Sequence, residues 1–307
     1  MRFKYRDKGT IIHRLNPLCK MAWVVSVFVL ALTLDDPFFL VLLFLSTLPV
    51  VAAARSWREW ASFMKLAAFL CVAIVVINLL VSYHGDHVLA TAPFSVPIMG
   101  TPTITLEAIV FGLAMGLRLL AVISALSIFT LTVHPDDMML IMIKLRLPYK
   151  SVLVTSLASR FMPTLLNDMQ RISDVQRSRG VELDRSGLVQ KVKARMTVLI
   201  PLLSNSLDRS VQVAEAMEAR AFGGDARRTF YRNIAMSRFD WMALLLAFTP
   251  CVIGLVMLVR GVGQYSYYPT LDAVAMTAVE WGALALLAAL LGLIVPLAFL
   301  KRAVDLD

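Results

Sequence analysis

Long apolar runs alternate with short polar segments along most of the chain, and one polar segment is about a hundred residues long. An apolar helix needs about 20 residues to cross the hydrocarbon of a bilayer. The last four runs are each long enough, whereas the first two are short and flank Asp35-Asp36-Pro37, which predicts a tight turn and a hairpin that barely spans. The runs are Met21–Leu34, Phe38–Ala54, Leu66–Ser82, Leu106–Val133, Trp241–Val259 and Met276–Leu300.

The composition supports a membrane protein. Of the 307 residues, 59% are hydrophobic and only 17% are charged, whereas a soluble domain carries about a quarter charged residues. A soluble protein with one large core is therefore disfavoured. The first 20 residues are too charged to resemble a cleaved signal peptide. We predict an all-α integral membrane protein with about six transmembrane helices.

Positive charges are confined to alternate segments of the chain. Of the 30 Lys and Arg residues, 28 lie in segments 1–20, 55–65, 134–240 and 301–302, and segment 83–105 contains none. Because Lys and Arg resist translocation, the rich segments are expected to face the cytoplasm. This predicts a multi-pass protein of a bacterial or archaeal inner membrane, with both termini in the cytoplasm.

The segment 134–240 predicts a helical cytoplasmic module. After a short amphipathic helix that ends at Leu147-Pro148, two long helices are expected, from about Tyr149 to Arg179 and from about Val189 to Ala221. Each has an apolar stripe at steps of three and four residues. Residues 1–133 and 241–307 then form the two membrane regions. The stripe positions include Leu157, Phe161, Leu165 and Met169 on the first helix, and Leu203, Leu207, Val211, Ala214 and Met217 on the second.

Both long helices stop at glycine after an arginine with small neighbours, in Ser178-Arg179-Gly180 and in Ala219-Arg220-Ala221 before Gly223. Two interpretations stay open. An arginine near a helix C-terminus complements the helix dipole by a few tenths of a kcal/mol. Alternatively, the small neighbours leave the guanidinium free to bind a carboxylate bidentately in a groove of a partner.

Three further stretches accompany these ends: Ile12–Pro17 with Lys20, Arg146–Tyr149, and Pro201–Arg220. In their order and spacing, the motifs from about residue 10 to 240 resemble the T component of energy-coupling factor importers, the EcfT/CbiQ family. That family carries two short Ala-Arg-Gly-like motifs at the ends of coupling helices. Here Ser178 replaces the first alanine and Ala221 replaces the second glycine.

The resemblance implies a coupling role. Arg179 and Arg220 would each dock one of two cytoplasmic EcfA-like ABC ATPases, with Arg177 as the runner-up for the first position. The module 134–240 would transmit their ATP-driven motion to a separate small membrane subunit, the S component, that captures a vitamin or a transition-metal ion. This chain would bind no cofactor, since ATP-Mg belongs to the ATPases. It has no G-x-x-x-x-G-K-[ST] phosphate loop and is not expected to be an enzyme.

Other functions have weaker support. A stand-alone secondary transporter or channel, the main alternative, would need polar groups along interior helix faces, and Arg118, Asn78 and Glu280 are few and scattered. The adjacent acid pairs are better explained as a turn and a helix start than as an enzyme site. The basic charges of the module are interleaved with acids and lack stacking aromatics, so no nucleic-acid partner is expected. The lipid bilayer is an expected partner of the apolar helices.

Three smaller features have alternative interpretations. Arg118, within the fourth run, either contacts a partner or pairs with a buried acceptor. The segment His84-Gly85-Asp86-His87 has metal-ligand spacing, but solvated histidines are favoured, and we predict no metal site on this chain. The three cysteines are expected to be packing residues; they are Cys19, Cys71 and Cys251.

Overall fold

The structure is a computed structural model. It describes residues 8–81, 87–91, 103–134, 137–138, 141–142, 148–182, 187–222, 224, 236–268, 271 and 276–304. The chain divides into two compact units, one formed by residues 1–138 and 234–307, the other by residues 139–233. We call the first the membrane unit and the second the helix-pair unit.

Helices dominate both units. The membrane unit contains α1 (Ile11–Arg14), α2 (Pro17–Thr33), α3 (Pro37–Ala54), α4 (Trp57–Val81), β1 (Val88–Thr91), β2 (Thr103–Thr105), α5 (Leu106–Thr132), α8 (Arg238–Val259), α9 (Ala278–Gly292) and α10 (Ile294–Val304). The helix-pair unit contains α6 (Tyr149–Ser178) and α7 (Leu188–Ala219).

Five helical segments of the described chain are long and apolar enough to cross a membrane. They correspond to the second to sixth predicted runs. The first run lies in α2, an apolar helix of only 17 residues, which is about 25 Å long at 1.5 Å per residue. The count of six spans therefore stays a prediction. The five segments are Pro37–Ala54, Trp57–Leu79, Leu106–Thr132, Arg238–Val259 and Ala278–Phe299.

The predominantly helical fold was predicted, and the exterior segment from residue 83 to 105 was predicted to be a loop. Within that segment, β1 and β2 pair as a short antiparallel sheet, with Thr91 opposite Thr103. Strand pairing joins distant residues, so short strands leave a weak signal in the sequence. His84, Gly85 and Asp86 of the considered metal motif lie outside the described residues.

Proline and a short polar cap start each of the first two long helices. The Asn16 side chain accepts a hydrogen bond from the Leu18 N–H at 3.1 Å, and the Asp36 side chain accepts one from the Phe38 N–H at 2.8 Å. Proline follows each cap, where its missing N–H removes no helical hydrogen bond. The predicted turn at Asp35-Asp36-Pro37 thus separates two helices, although α2 packs mainly against α8 and α5.

Small residues let α4 and α5 approach closely. A Cβ atom added to Gly112 would lie 3.1 Å from the Val75 Cα, and one added to Gly116 would overlap the Cys71 Sγ. These glycines form a G-x-x-x-G pair on one face of α5, the spacing at which membrane helices pack closely. The packing role predicted for Cys71 agrees with this contact.

We expect Gly112→Leu to lower the unfolding free energy by about 1–3 kcal/mol, because the larger side chain would force α4 and α5 apart. The measurement is thermal denaturation in mild detergent. Gly282→Leu is the matched control, since no atom lies within 4 Å of a Cβ added there. Equal melting temperatures for the two variants would contradict the proposed packing constraint.

Candidate functional site

The helix-pair unit is built from two long antiparallel helices. An Arg209 Nη2 atom of α7 donates to Asp168 Oδ2 of α6 at 2.8 Å, and the Gln176 side chain donates to the Thr197 carbonyl at 3.4 Å. As the residue numbers of the contacts increase along α6, those of their partners on α7 decrease, so the two helices run antiparallel. Both members of the ion pair are mostly buried, with 21% of the Asp168 and 31% of the Arg209 side chain exposed.

The helix ending at Arg179 closes with a tight left-handed turn. Arg179 is its C-cap, and Gly180 follows with φ at 81°. The Gly180 N–H donates to the Arg177 carbonyl and the Val181 N–H donates to the Gln176 carbonyl, both at 3.0 Å. These two bonds define a Schellman motif, which satisfies carbonyls left open at a helix end.

The end of α7 repeats that geometry. Arg220 is the C-cap, the Ala221 N–H donates to the Glu218 carbonyl at 2.8 Å, and the Phe222 N–H donates to the Met217 carbonyl at 2.9 Å. Ala221 occupies the left-handed position at φ 53°, although a Cβ disfavours it by roughly 1–2 kcal/mol. The departure from glycine therefore does not change the shape of this end.

The two arginines are exposed, and neither guanidinium has a hydrogen bond or ion pair within the part of the chain that the structure describes. The flanking Ser178 and Ala219 are exposed as well. Arg177 differs, because its guanidinium lies 3.8 Å from the Asp174 carboxylate. Each end can thus present a guanidinium to a carboxylate of another molecule.

The ion pair lies midway between the two arginine ends. Arg179 and Arg220 are each 11 residues beyond the member of the pair on their own helix. At 1.5 Å per residue this places each end about 16 Å from the pair, in opposite directions because the helices are antiparallel. The Asp168–Arg209 ion pair therefore joins the two helices at about equal distances from Arg179 and Arg220.

The apolar stripes differ in exposure. On α6, Leu157, Phe161 and Leu165 are half-buried and Met169 is exposed. On α7 the predicted stripe is largely open: Leu203, Leu207 and Val211 are 60%, 65% and 56% exposed. Ala214 is also exposed, and Met217 is half-buried. An apolar surface of this extent on a polar helix is typical of an interaction surface.

The same cap geometry also occurs at Arg260 in the membrane unit. Gly261 follows it with φ at 69°, and the Val262 N–H donates to the Met257 carbonyl at 2.9 Å. The cap shape alone therefore does not identify a docking residue. What distinguishes Arg179 and Arg220 is their placement at opposite ends of one helix pair.

Two charged residues of the membrane unit act within the fold. Lys20, 6% exposed, donates to the Thr132 carbonyl at 2.8 Å and to the His13 carbonyl at 3.2 Å, so this part of the N-terminal motif caps the end of α5. Sequence reasoning missed this role. Arg118 donates to the Leu34 carbonyl at 3.0 Å and to the Asp35 carboxylate at 2.5 Å. Its acceptors therefore lie in the turn between α2 and α3.

His87 and the three cysteines belong to the membrane unit. His87 Nδ1 lies 2.8 Å from the Glu107 carboxylate. Cys19 is buried and its Sγ contacts the Asp240 carbonyl at 3.2 Å, and all three cysteines are free thiols. Among the described residues, no group of three His, Cys, Asp or Glu side chains could hold a metal ion.

Comparisons with known proteins place these features in a family. Residues 8–231 match the family model of CbiQ, described as a cobalt transport protein. The energy-coupling factor transporter transmembrane protein EcfT of Bacillus selenitireducens is 28% identical over 261 residues, which cover 81% of this chain and 94% of the relative. EcfT of Heliobacterium modesticaldum is 30% identical over 264 residues, 83% of this chain and 94% of the relative.

A third relative is larger. The putative ABC transporter ATP-binding protein of Bifidobacterium longum is 29% identical over 258 residues, which are 80% of this chain but only 32% of that protein. The family model covers well over half of the present sequence, and the EcfT relatives match it along nearly their whole length. The chain therefore belongs to the EcfT/CbiQ family of energy-coupling factor transporter transmembrane proteins.

Proposed function

We propose that this chain is the coupling subunit of an ATP-driven importer, in which Arg179 and Arg220 each dock one cytoplasmic ABC ATPase. The observation that carries the proposal is the repeated, exposed arginine cap at the two opposite ends of α6 and α7. Two equivalent ends suit two similar grooves. The Bifidobacterium relative supports the link with ATPases, because a protein named for ATP binding contains a segment similar to this chain.

ATP-Mg would be bound and hydrolysed by the ATPases, and this chain would perform no chemistry. When ATP draws the ATPases together, the two arginine ends would move with them, and the Asp168–Arg209 ion pair would hold α6 and α7 together during that motion. A guanidinium that binds a carboxylate in a desolvated groove can transmit such force, because losing that contact typically costs about 2–5 kcal/mol.

The exposed stripe on α7 would contact a separate small membrane subunit that binds the substrate, a vitamin or a transition-metal ion. Leu203, Leu207 and Val211 offer the apolar area for such a contact. Both termini and the helix-pair unit would then face the cytoplasm, as the distribution of Lys and Arg favours.

Affinity purification of the tagged chain from its native host in mild detergent tests this function. We expect two ABC ATPase subunits and one small membrane protein per chain, counted by quantitative mass spectrometry. The identity of the small membrane protein would indicate the substrate. Recovery of the chain alone, under conditions that keep other membrane complexes of the host intact, would contradict the coupling role.

A further inference from the structure

A cavity of about 630 Å³ opens at one end of the membrane unit. Its apolar wall includes Ala52 and Ala53 from α3 and Val295 and Phe299 from α10, and its polar wall includes Lys8 and Arg55. The cavity is therefore amphipathic, with apolar side chains on one wall and basic side chains on the other.

The apolar wall coincides with the ends of two candidate membrane spans. The span Pro37–Ala54 ends beside Arg55, and the span Ala278–Phe299 ends at a residue that lines the cavity. Where an apolar helix ends, the hydrocarbon of the bilayer gives way to the headgroup region. The cavity thus lies at the depth of lipid headgroups, and its apolar wall lies on the hydrocarbon side.

Among the described residues, the charge of the site is close to a single positive unit. The Lys8 ammonium donates to the Glu59 carboxylate at 2.8 Å and to the Arg55 carbonyl at 3.1 Å. Arg55 has the left-handed backbone conformation, with φ at 51°, and is exposed. Its guanidinium has no hydrogen bond or ion pair to the described residues. Among the described residues that line the cavity, Arg55 is therefore the cation that is available for an anionic ligand.

We propose that this cavity binds one anionic phospholipid. The phosphate would accept hydrogen bonds from the Arg55 guanidinium, and an acyl chain would lie along Ala53, Val295 and Phe299. A single net positive charge complements a monoanionic headgroup such as phosphatidylglycerol, and the apolar wall favours a lipid over a soluble phosphate. The proposed site lies in the membrane unit and involves neither Arg179 nor Arg220.

Native mass spectrometry of the purified chain in neutral detergent tests the proposal, with phosphatidylglycerol and phosphatidylcholine added separately. We expect one phosphatidylglycerol to be retained in preference to phosphatidylcholine. Arg55→Gln should lower that retention about tenfold, since a charged hydrogen bond is lost. Arg58→Gln is the matched control, because Arg58 is exposed, lies three residues away and does not line the cavity.

Two further measurements complete the test. Ala53→Phe would place a bulky ring on the apolar wall where the acyl chain is proposed to lie, and it should abolish retention while leaving the melting temperature in phosphatidylcholine unchanged. This variant keeps the site testable if Arg55→Gln does not fold. Glycerol 3-phosphate, which lacks acyl chains, should not raise the melting temperature. Equal retention of both lipids, no loss in Arg55→Gln and Ala53→Phe, or stabilisation by glycerol 3-phosphate alone would each overturn the lipid site.

Discussion

Arg179→Glu combined with Arg220→Glu is expected to abolish retention of the ABC ATPases while the membrane unit stays folded. Each lost guanidinium contact would cost about 2–5 kcal/mol, and the introduced carboxylates would repel the acidic grooves. Losing both contacts would weaken binding by more than about a thousandfold. Each single reversal should leave one contact and give partial retention. Quantitative mass spectrometry of the affinity-purified complex measures the result.

The controls separate docking from charge and from helix capping. Arg171→Glu with Arg195→Glu makes the same change in net charge at exposed positions of the same two helices. Arg260→Glu alters an arginine cap of the same geometry in the membrane unit. All of these variants should keep the ATPases. Retention after both docking residues are reversed, or equal loss in the charge-matched control, would show that Arg179 and Arg220 are only helix caps.

The second large effect concerns the Asp168–Arg209 ion pair between α6 and α7. Asp168→Asn is expected to broaden the distribution of distances between the two arginine ends, because the amide cannot neutralise Arg209. A second nitrogen of that guanidinium, Nη1, is already buried without a partner among the described residues. The loss of stability should be modest, about 1 kcal/mol, since both side chains are partly solvated. The geometric effect is larger. A 10° change in the angle between α6 and α7 at the ion pair would move a helix end that lies about 16 Å from the pair by about 3 Å.

Pulsed electron resonance between spin labels measures this distribution. Labels at Val175→Cys and Ala216→Cys, two exposed positions, would be introduced after replacement of the native cysteines. Asp168→Arg with Arg209→Asp restores the opposite charges and should return the narrow distribution. Asp174→Asn is the control, because among the described residues the Asp174 carboxylate forms an ion pair with Arg177 on its own helix and not with α7. A distribution unchanged in Asp168→Asn would contradict the role of the ion pair.

Local patterns accounted for much of the fold. Apolar runs predicted the membrane helices. The run that starts at Leu66 belongs to a helix that begins at Trp57, because the first turns of this helix contain polar residues such as Arg58 and Glu59 and were not part of the apolar run. Where a helix begins, continues and ends depends on residues within about four positions of each other along the chain. These features could therefore be predicted from the sequence. The helix ends at Arg179 and Arg220 were also predictable, since glycine and small residues act locally.

The amino-acid sequence by itself determined that this is a helical membrane protein of the EcfT/CbiQ family with two arginine-capped helices. The tertiary structure decided which groups meet across the chain. It pairs Asp168 with Arg209, 41 residues apart, and Lys20 with the Thr132 carbonyl, 112 residues apart. It also decided which side of α7 is left open. Such contacts depend on how helices cross and on which small residues allow close approach, and that geometry is a property of the packed molecule.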